Sequence, residues 1–161
     1  MEITYHPIGL IHTPFKSVEG MPIQPKGAKG VLGQIEIYSE YVEGLTDLDG
    51  FSHLILIYHL HRITSHSLKV TPFLDTNEHG IFSTRAPKRP NPIGISVVEL
   101  LSVNENKLEI QNIDVLDKTP ILDIKPYIPD FDQVVATSIG WFEKNVNKVG
   151  TAISDTRFKS D

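Results

Sequence analysis

Alternation of apolar and polar residues is the most frequent pattern along this chain of 161 residues, and it predicts β-strands. The clearest example is VLGQIEIY at 31–38, which alternates at period two from Leu32 onward and predicts a strand with one side in water. The most apolar run, FSHLILIYHLH at 51–61, follows Gly50. Its β-branched and aromatic residues favour a buried strand over a helix.

The remaining predicted elements are short and lie between turns. Strands are predicted at 8–11, 81–84, 94–103, 107–115 and 121–125, and NEN at 104–106 is a suitable hairpin turn. One short helix is predicted over 40–45, with Ser39 as its N-cap, and another within 138–150. We therefore predict an all-β fold with one or two short helices, arranged as a small antiparallel barrel or a strongly bent sheet. We divide the chain into a barrel domain at 1–137 and a C-terminal appendage at 138–161.

Composition narrows the class of protein. The sequence has no cysteine, which excludes disulfides and thiolate metal sites and favours a reducing cytoplasm. The start, MEITYHPIGL, lacks the regions of a signal peptide, and no apolar stretch reaches the roughly 18 residues of a membrane span, so neither is expected. There is no Walker motif, no G-x-S-x-G and no G-x-G-x-x-G, which disfavours kinase, hydrolase and dehydrogenase functions.

Charge is unevenly distributed along the sequence. The net charge of −5 argues against a protein that coats nucleic acid through bulk charge. However, 36–49 holds five acids and no base, whereas 50–91 holds five bases, two acids and five of the seven histidines. A basic face could therefore meet phosphates, and the alternative is an ordinary solvated charged surface.

Residues 84–94, TRAPKRPNPIG, form a stiff basic loop. Each of its three prolines fixes its own φ and keeps the preceding residue out of helix, which lowers the entropy lost on holding a ligand. The groups offered to an anionic or polar ligand are three cations, an amide and a glycine that permits close approach: Arg85, Lys88, Arg89, Asn91 and Gly94. The sequence thus predicts a ligand loop; the alternative is a proline-stiffened connection with solvated cations.

Two further groups of residues could carry chemistry. In LDKTPILDIKPY at 116–127, the turn at Asp117 is followed by a strand that sends Asp123 and Lys125 to one face, either as an acid–base set or as a structural ion pair. The residues His53, His59 and His61 have the same parity on the apolar strand, as metal ligands can have. Histidines at a barrel rim also serve ordinary polar needs, and we predict no metal site.

Together these motifs resemble the TsaA/TrmO-like family of S-adenosylmethionine-dependent methyltransferases. The matching segments run in family order: PIGLIHTPF (7–15), MPIQP (21–25), DGFSHLILIYHLH (49–61), GIFSTRAPKRPNPIGISVVEL (80–100) and LDKTPILDIKPY (116–127). The resemblance implies a small β-barrel methyltransferase without a Rossmann domain, which acts as a homodimer. It also implies methylation at N6 of N6-threonylcarbamoyladenosine beside the anticodon of tRNA.

The resemblance also implies roles for individual residues. The S-adenosylmethionine contacts fall on Ile23, Gln24, Pro25, His61, Arg62, Arg85, Ile95, Lys118, Thr119, Pro120 and Ile121. Substrate and tRNA contacts fall on Lys88, Arg89 and Asn91, and either Asp123 or Tyr127 could take the N6 proton. The chain departs from the family at Lys118, where the usual residue is glycine, and a left-handed backbone there would cost lysine roughly 1 kcal/mol. The alternative function is a non-catalytic barrel that binds nucleotide or RNA.

Overall fold

The computed structural model describes residues 1–23, 25–148 and 152–158. In these ranges the strands and the one α-helix are β1 (Gly9–His12), β2 (Leu32–Ile37), β3 (His53–His59), β4 (Lys69–Val70), β5 (His79–Gly80), β6 (Ile93–Asn104), β7 (Lys107–Gln111), β8 (Thr119–Pro126) and α1 (Pro129–Asp132). The 3-10 helices cover Pro25–Ala28, Ser39–Leu45, Leu48–Gly50, Ile81–Ser83 and Gly140–Lys148. Among the described residues, none of these helices is long and apolar enough to cross a bilayer.

Six strands form a closed barrel in the order β1-β2-β7-β6-β3-β8, and β8 pairs back onto β1. Every neighbouring pair in the barrel is antiparallel. The strands β4 and β5 form a separate two-stranded sheet. The predicted all-β barrel is therefore confirmed. Closure pairs both edges of the sheet, so that the barrel offers no open strand for aggregation.

Side chains that alternate along each strand fill the barrel interior. In β3, Leu54, Leu56 and Tyr58 are buried, whereas Ile55 and Ile57 lie on the outer face. The other strands add to the core Ile11, Ile35, Ile37, Val98, Leu100, Leu108, Ile110 and Ile121. Burying each apolar side chain of this size stabilises the fold by about 1.5–3 kcal/mol. The period-two pattern of the sequence is thus the inside and outside of one barrel.

The strand predicted at 81–84 is wrong, because Ile81–Ser83 is a 3-10 helix. Local hydroxyl groups stabilise this turn. Thr84 donates from both its amide (3.1 Å) and its Oγ1 (2.9 Å) to the carbonyl of Ile81, and Ser83 Oγ donates to Gly80 at 2.8 Å. Such side-chain bonds compete with the pairing of an extended strand.

Two predicted boundaries also need correction. The helix predicted over 40–45 is present as the 3-10 helix Ser39–Leu45, but its N-cap is Tyr38 and no side chain caps it. The strand predicted at 107–115 ends at Gln111, because Asn112 has a φ of 66° and leaves the extended region. The Asn112 side-chain oxygen then accepts the amide of Gly30 at 2.8 Å.

A bulge in β8 sets which side chains face outward. The pairing of β3 with β8 shifts register, so that Tyr58 faces Ile121 while Ile57 faces Asp123. The extra residue in β8 interrupts the period of two, as β-bulges do. Ile121 and Ile124 both pack against the core, although they are three positions apart. The predicted common face of Asp123 and Lys125 is confirmed, since their side chains form an ion pair at 2.8 Å.

The C-terminal segment packs onto two loops of the barrel domain. Trp141 stacks on His79 with ring centres 4.6 Å apart, and its Nε1 donates to the carbonyl of Ser83 at 2.8 Å. Further along, Ser154 accepts the amide of Met21 at its Oγ (3.0 Å) and donates its own amide to the Met21 carbonyl (2.7 Å). A second, small apolar cluster forms between this segment and the loops: Val70, Phe73, Ile81, Ala86 and Phe158.

Candidate functional site

The Arg89 side chain is hydrogen-bonded to backbone carbonyls at the start of its own loop and in the preceding 3-10 helix. Its Nη1 donates to the carbonyl oxygens of Ile81 (3.1 Å) and Thr84 (2.9 Å) and lies 3.5 Å from that of Ala86. The guanidinium carbon also sits 5.8 Å from the centre of the Phe82 ring. Arg89 therefore stabilises the loop backbone, and its contact with substrate or tRNA stays a prediction.

Lys88 and Asn91 differ in exposure. Asn91 is exposed, whereas Lys88 is half-buried and accepts the amide of Ser67 at its carbonyl (3.1 Å). Lys88 lines an open cavity of about 490 Å³ together with Lys69 and Arg157. The remaining lining residues are Val70, Thr71, Asp75, Thr76, Glu78 and Phe158. The cavity thus combines three cations with two acids.

A chain of hydrogen bonds that the sequence analysis missed lies near Arg85. Ser96 Oγ donates to Asp114 Oδ1 at 2.8 Å, and the Tyr58 hydroxyl lies 2.9 Å from the same Ser96 oxygen. Because the single Ser96 proton is used on Asp114, Tyr58 is the donor in its bond with Ser96. Three segments of the barrel are thus joined through one hydroxyl group. A signal was present in the sequence, since Asp114 is an acid between the apolar Ile113 and Val115.

Burial shifts the pKa of both ends of this chain. Burial raises the pKa of Asp114 to about 6, although the Ser96 hydrogen bond and the nearby Arg85 charge act to lower it. The pKa of Tyr58 is also raised, mainly by burial and then by the charge of Asp114. Arg85 is exposed, and its positive charge acts to lower the pKa of both groups.

The Tyr58 ring lies so close to Gly94 that there is no room for a side chain at position 94. A Cβ atom built on Gly94 would lie 2.2 Å from Cε2 and 2.6 Å from Cζ of the Tyr58 ring. These distances are far shorter than van der Waals contact. The close approach that the glycine was predicted to permit is therefore that of a buried tyrosine ring.

The side chain of Asp117 anchors the start of the turn at 117–120. Asp117 is nearly buried, forms an ion pair with Lys16 at 2.5 Å and accepts the amide of Thr13 at 3.0 Å. Burial would raise its pKa, but these two partners and His12 outweigh burial, and the pKa of Asp117 lies below its ordinary value. The next residue, Lys118, has a φ of 60°, the left-handed conformation that favours glycine.

His61 is brought to this turn by Thr119. The buried Thr119 donates from Oγ1 to the carbonyl of Leu116 at 2.7 Å, and His61 Nδ1 lies 3.4 Å from the same oxygen. Burial lowers the pKa of His61, and the charges of Arg62 and His59 lower it further. The imidazole of His61 is therefore neutral at pH 7.

The outer face of β6, β3 and β8 brings two more predicted residues, Ile95 and Asp123, near one another. Ile57 is the pairing partner of Ile95 on one side and of Asp123 on the other. With strands about 4.8 Å apart, Ile95 and Asp123 are separated by about 10 Å along this face. At the far end of β3, Tyr127 lies near His53, with ring centres 6.3 Å apart.

The backbones of predicted cofactor residues from three motifs therefore lie close together around the end of β3, although the Ile121 side chain is buried in the barrel core. Ile95 pairs beside it, Pro120 and Ile121 lie at the start of the neighbouring β8, and His61 follows it directly. From MPIQP, Ile23 is half-buried and Pro25 begins a 3-10 helix, while Gln24 lies outside the described residues. Within the described residues, no group of three or more histidine or acidic side chains could hold a metal ion.

An open cavity of about 470 Å³ adjoins the 117–120 turn. Its lining includes Lys118, Asp117, Lys16 and Thr13, together with His12, Pro14, Leu32, Gly33, Gln34 and Glu109. Lys118 is exposed at this rim. The turn is thus accessible to a ligand from this cavity.

Comparison with known proteins gives consistent results. The sequence model of the tRNA-methyltransferase O N-terminal domain matches residues 10–133. A protein of Pyrococcus abyssi named "Probable S-adenosyl-L-methionine-binding protein" is 52% identical over 158 residues, which cover 98% of this chain and 86% of that protein. The tRNA (adenine(37)-N6)-methyltransferase of Escherichia coli K12 is 36% identical over 135 residues, 78% of this chain and 57% of the enzyme.

A solved structure shares the fold. The crystal structure of TrmO from Pseudomonas aeruginosa superimposes with a TM-score of 0.73 and 36% sequence identity. The match covers 88% of this chain and 63% of the Pseudomonas chain, so this chain spans less than two thirds of that structure. The C-terminal segment that contacts the two loops lies outside the residues matched by the family's sequence model.

Proposed function

Because the chain belongs to the family of the tRNA-methyltransferase O N-terminal domain, we propose that it is an S-adenosylmethionine-dependent tRNA methyltransferase. The proposed acceptor is N6 of adenosine 37, the position named for the Escherichia coli relative. Its N6-threonylcarbamoyl form is the substrate that the family resemblance implies. The observation that carries the proposal is the meeting of the predicted cofactor residues around the end of β3.

The residues at this end of the barrel suit the donor. S-adenosylmethionine, when bound, supplies an electrophilic methyl group on a positively charged sulfur. The exposed Arg85 offers a guanidinium to the carboxylate of its amino acid end. We assign the adenine to the turn at the exposed Lys118, and the exposed Ile95 offers an apolar surface. His61 is neutral at pH 7 and so does not repel a sulfonium.

Methyl transfer needs a carbon, a leaving sulfur and an attacking nitrogen in line, so positioning supplies much of the rate. The N6 proton of the acceptor must leave as the new C–N bond forms. We assign the removal of the N6 proton to Asp123. The Asp123 residue lies on the same outer face as Ile95, because Ile57 pairs with both. Its Oδ2 contacts Lys125 and its Oδ1 accepts the amide of Ile124, but each oxygen retains a second lone pair.

The acceptor side of the site is assigned to the basic loop. Lys88, at the cavity shared with Lys69 and Arg157, is suited to a phosphate of tRNA. Asn91 is exposed and can both donate and accept hydrogen bonds to the threonylcarbamoyl group. A tRNA substrate also assigns the protein to the cytoplasm.

We further propose a homodimer that buries the outer face of β6. Ile93, Ile95 and Val97 are all at least 39% exposed there, next to the outward Ile55 and Ile57 of β3. An apolar strip of this kind on a barrel is typical of an interface. Because Ile95 belongs to both the strip and the predicted cofactor residues, the partner subunit would help to close the donor site. Sedimentation velocity on V97E, which places a charge in the strip beside Ile55, should show dissociation to monomers.

The experiment that tests the proposed activity is nucleoside mass spectrometry of tRNA after reaction with purified protein and S-adenosylmethionine. We expect one methyl group to be gained on N6-threonylcarbamoyladenosine, and R85A to abolish the gain. Calorimetric titration in parallel measures cofactor affinity. Cofactor and tRNA binding without methyl gain would reject the enzyme and leave a non-catalytic RNA-binding barrel.

A further inference from the structure

Phe82 combines two properties that rarely occur together, high exposure and a rigid support. Its side chain is 75% exposed, on the 3-10 helix Ile81–Ser83 that leads into the basic loop. Exposed rings elsewhere on the described surface include Phe131 on α1, at 77%. What distinguishes Phe82 is that its backbone is fixed from both sides.

The support comes from Arg89 on one side and Trp141 on the other. Arg89 bonds the carbonyl of Ile81, immediately before Phe82, at 3.1 Å. Trp141 bonds the carbonyl of Ser83, immediately after it, at 2.8 Å, while stacking on His79. With the flanking peptide groups held in this way, a ligand that contacts the ring does not have to order the loop, so the entropy lost on binding is small.

The electrostatic surroundings of the ring favour a polyanion. From 79 to 98 the sequence has three bases and no acid. The Arg89 guanidinium lies 5.8 Å from the centre of the Phe82 ring, and Lys88 directly precedes Arg89 in the chain. An aromatic face among cations is the combination that binds single-stranded nucleic acid, since the ring stacks a base while the cations meet the phosphates.

We propose that Phe82 is a stacking platform for an unpaired nucleobase of the tRNA anticodon loop. The inference rests on the proposed function for its choice of RNA. Phe82 contacts Arg89, on the acceptor half of the loop, and it lies on the 3-10 helix Ile81–Ser83, outside the strands β6 and β8 that carry Ile95 and Ile121 of the predicted cofactor residues. The base it stacks is therefore one of the RNA and not the adenine of S-adenosylmethionine.

The test compares three variants of Phe82 in the full chain by two binding measurements. The affinity for an anticodon stem-loop RNA should fall by about 5- to 150-fold in F82A, as expected for one lost base stack. F82L, which keeps apolar bulk without a π-face, should lose a similar amount, whereas F82W should retain the affinity. Affinity for S-adenosylmethionine should be unchanged in all three, and the matched exposed control F131A should bind RNA like the wild type.

Several outcomes would overturn this assignment. Wild-type RNA affinity in F82A, or equal retention in F82L and F82W, would exclude stacking. A loss of S-adenosylmethionine affinity with intact RNA affinity would assign the ring to the cofactor, and a change in sedimentation alone would assign it to an interface between copies. Because RNA binding is measured without turnover, a protein that binds RNA through Phe82 but transfers no methyl group would reject only the proposed activity.

Discussion

Ser96 donates a 2.8 Å hydrogen bond to Asp114, and this bond joins strand β6 to the segment that follows β7. Tyr58 donates to the same Ser96 oxygen from β3, so that one hydroxyl connects the wall of the barrel to an acid beside Arg85. A buried network of this kind stabilises a structure only while all its members are satisfied. It therefore makes the end of β3 sensitive to the charge of Asp114.

The pKa of Asp114 predicts a pH-dependent stability. Its ordinary value is about 3.9, and its folded value is about 6. Between about pH 4 and pH 6 the unfolded chain loses this proton while the folded chain keeps it, so stability falls as pH rises through this window. D114N cannot ionise and keeps an oxygen for Ser96. Urea unfolding should show a gain for D114N that is larger at about pH 7 than at about pH 4; parallel pH curves would contradict the shift.

Arg89 should contribute to stability as well as to any RNA contact. R89M removes charge-assisted bonds to two backbone carbonyls, and we expect the free energy of unfolding to fall by about 1–3 kcal/mol. Chemical denaturation of R89M beside K88M tests this, because K88M removes a neighbouring cation whose side chain, among the described residues, makes no hydrogen bond to Ile81 or Thr84. Equal stability of R89M and wild type, with lost RNA affinity, would instead assign Arg89 wholly to the substrate.

Gly94 should tolerate no side chain. In G94A the added methyl would overlap the Tyr58 ring, and overpacking of this degree costs about 1–3 kcal/mol or more. Gly80 provides the matched control, because a Cβ there meets nothing within 4 Å and its φ of −60° is open to alanine. Thermal melting should separate the two variants clearly. A G94A protein as stable as G80A would mean that the Tyr58 ring moves freely.

Lys118 should be a position where glycine is better than the native residue. Its φ of 60° costs an L-residue about 1 kcal/mol, which K118G should recover in the free energy of unfolding. E105G tests the same backbone effect away from the site, since Glu105 has a φ of 52°. Calorimetry should show that only K118G alters S-adenosylmethionine affinity. A destabilised K118G would show that the lysine side chain makes a compensating contact.

Ser154 should control the order of the loop before MPIQP. Its hydroxyl accepts the Met21 amide at 3.0 Å and donates to the carbonyl of Val18. S154A leaves both groups without this partner, so amide hydrogen exchange at 18–21 should accelerate, and S-adenosylmethionine affinity should fall. The exposed neighbour Thr156 supplies the control T156A. Unchanged exchange in S154A would mean that the backbone bonds between Ser154 and Met21 suffice.

The parts of the fold that could be predicted are the strands whose apolar and polar residues alternate along the sequence. The β3 run and the alternation before Tyr38 are visible because barrel strands must bury every second residue. The 3-10 helix Ile81–Ser83 was missed because Ser83 and Thr84 hydroxyls decide the backbone there, and an apolar pattern does not record them. The β8 bulge likewise depends on the pairing with β3, which no single strand reveals.

The site was predictable as motifs but not as an arrangement. Arg85 and Lys118 stand out by residue type, whereas Asp114 acquires its character only when Ser96 and Tyr58, distant in sequence, fold against it. Arg89 resembles a ligand residue in the sequence, and only the fold reveals the carbonyls that it holds. Physical context of this kind arises from tertiary contacts, which a single sequence does not display.

The C-terminal segment makes the two loops that carry cofactor motifs depend on one another. Ser154 of this segment is hydrogen-bonded to Met21, the first residue of MPIQP, and Trp141 is hydrogen-bonded to Ser83, which directly precedes the basic loop. If a ligand binds only while both loops are in place, then detachment of the segment competes with binding, and the two events share one coupling free energy. Bound ligand would therefore slow the cleavage of the segment by proteases. A partner protein that bound the detached segment would lower ligand affinity at the donor site without contacting that site.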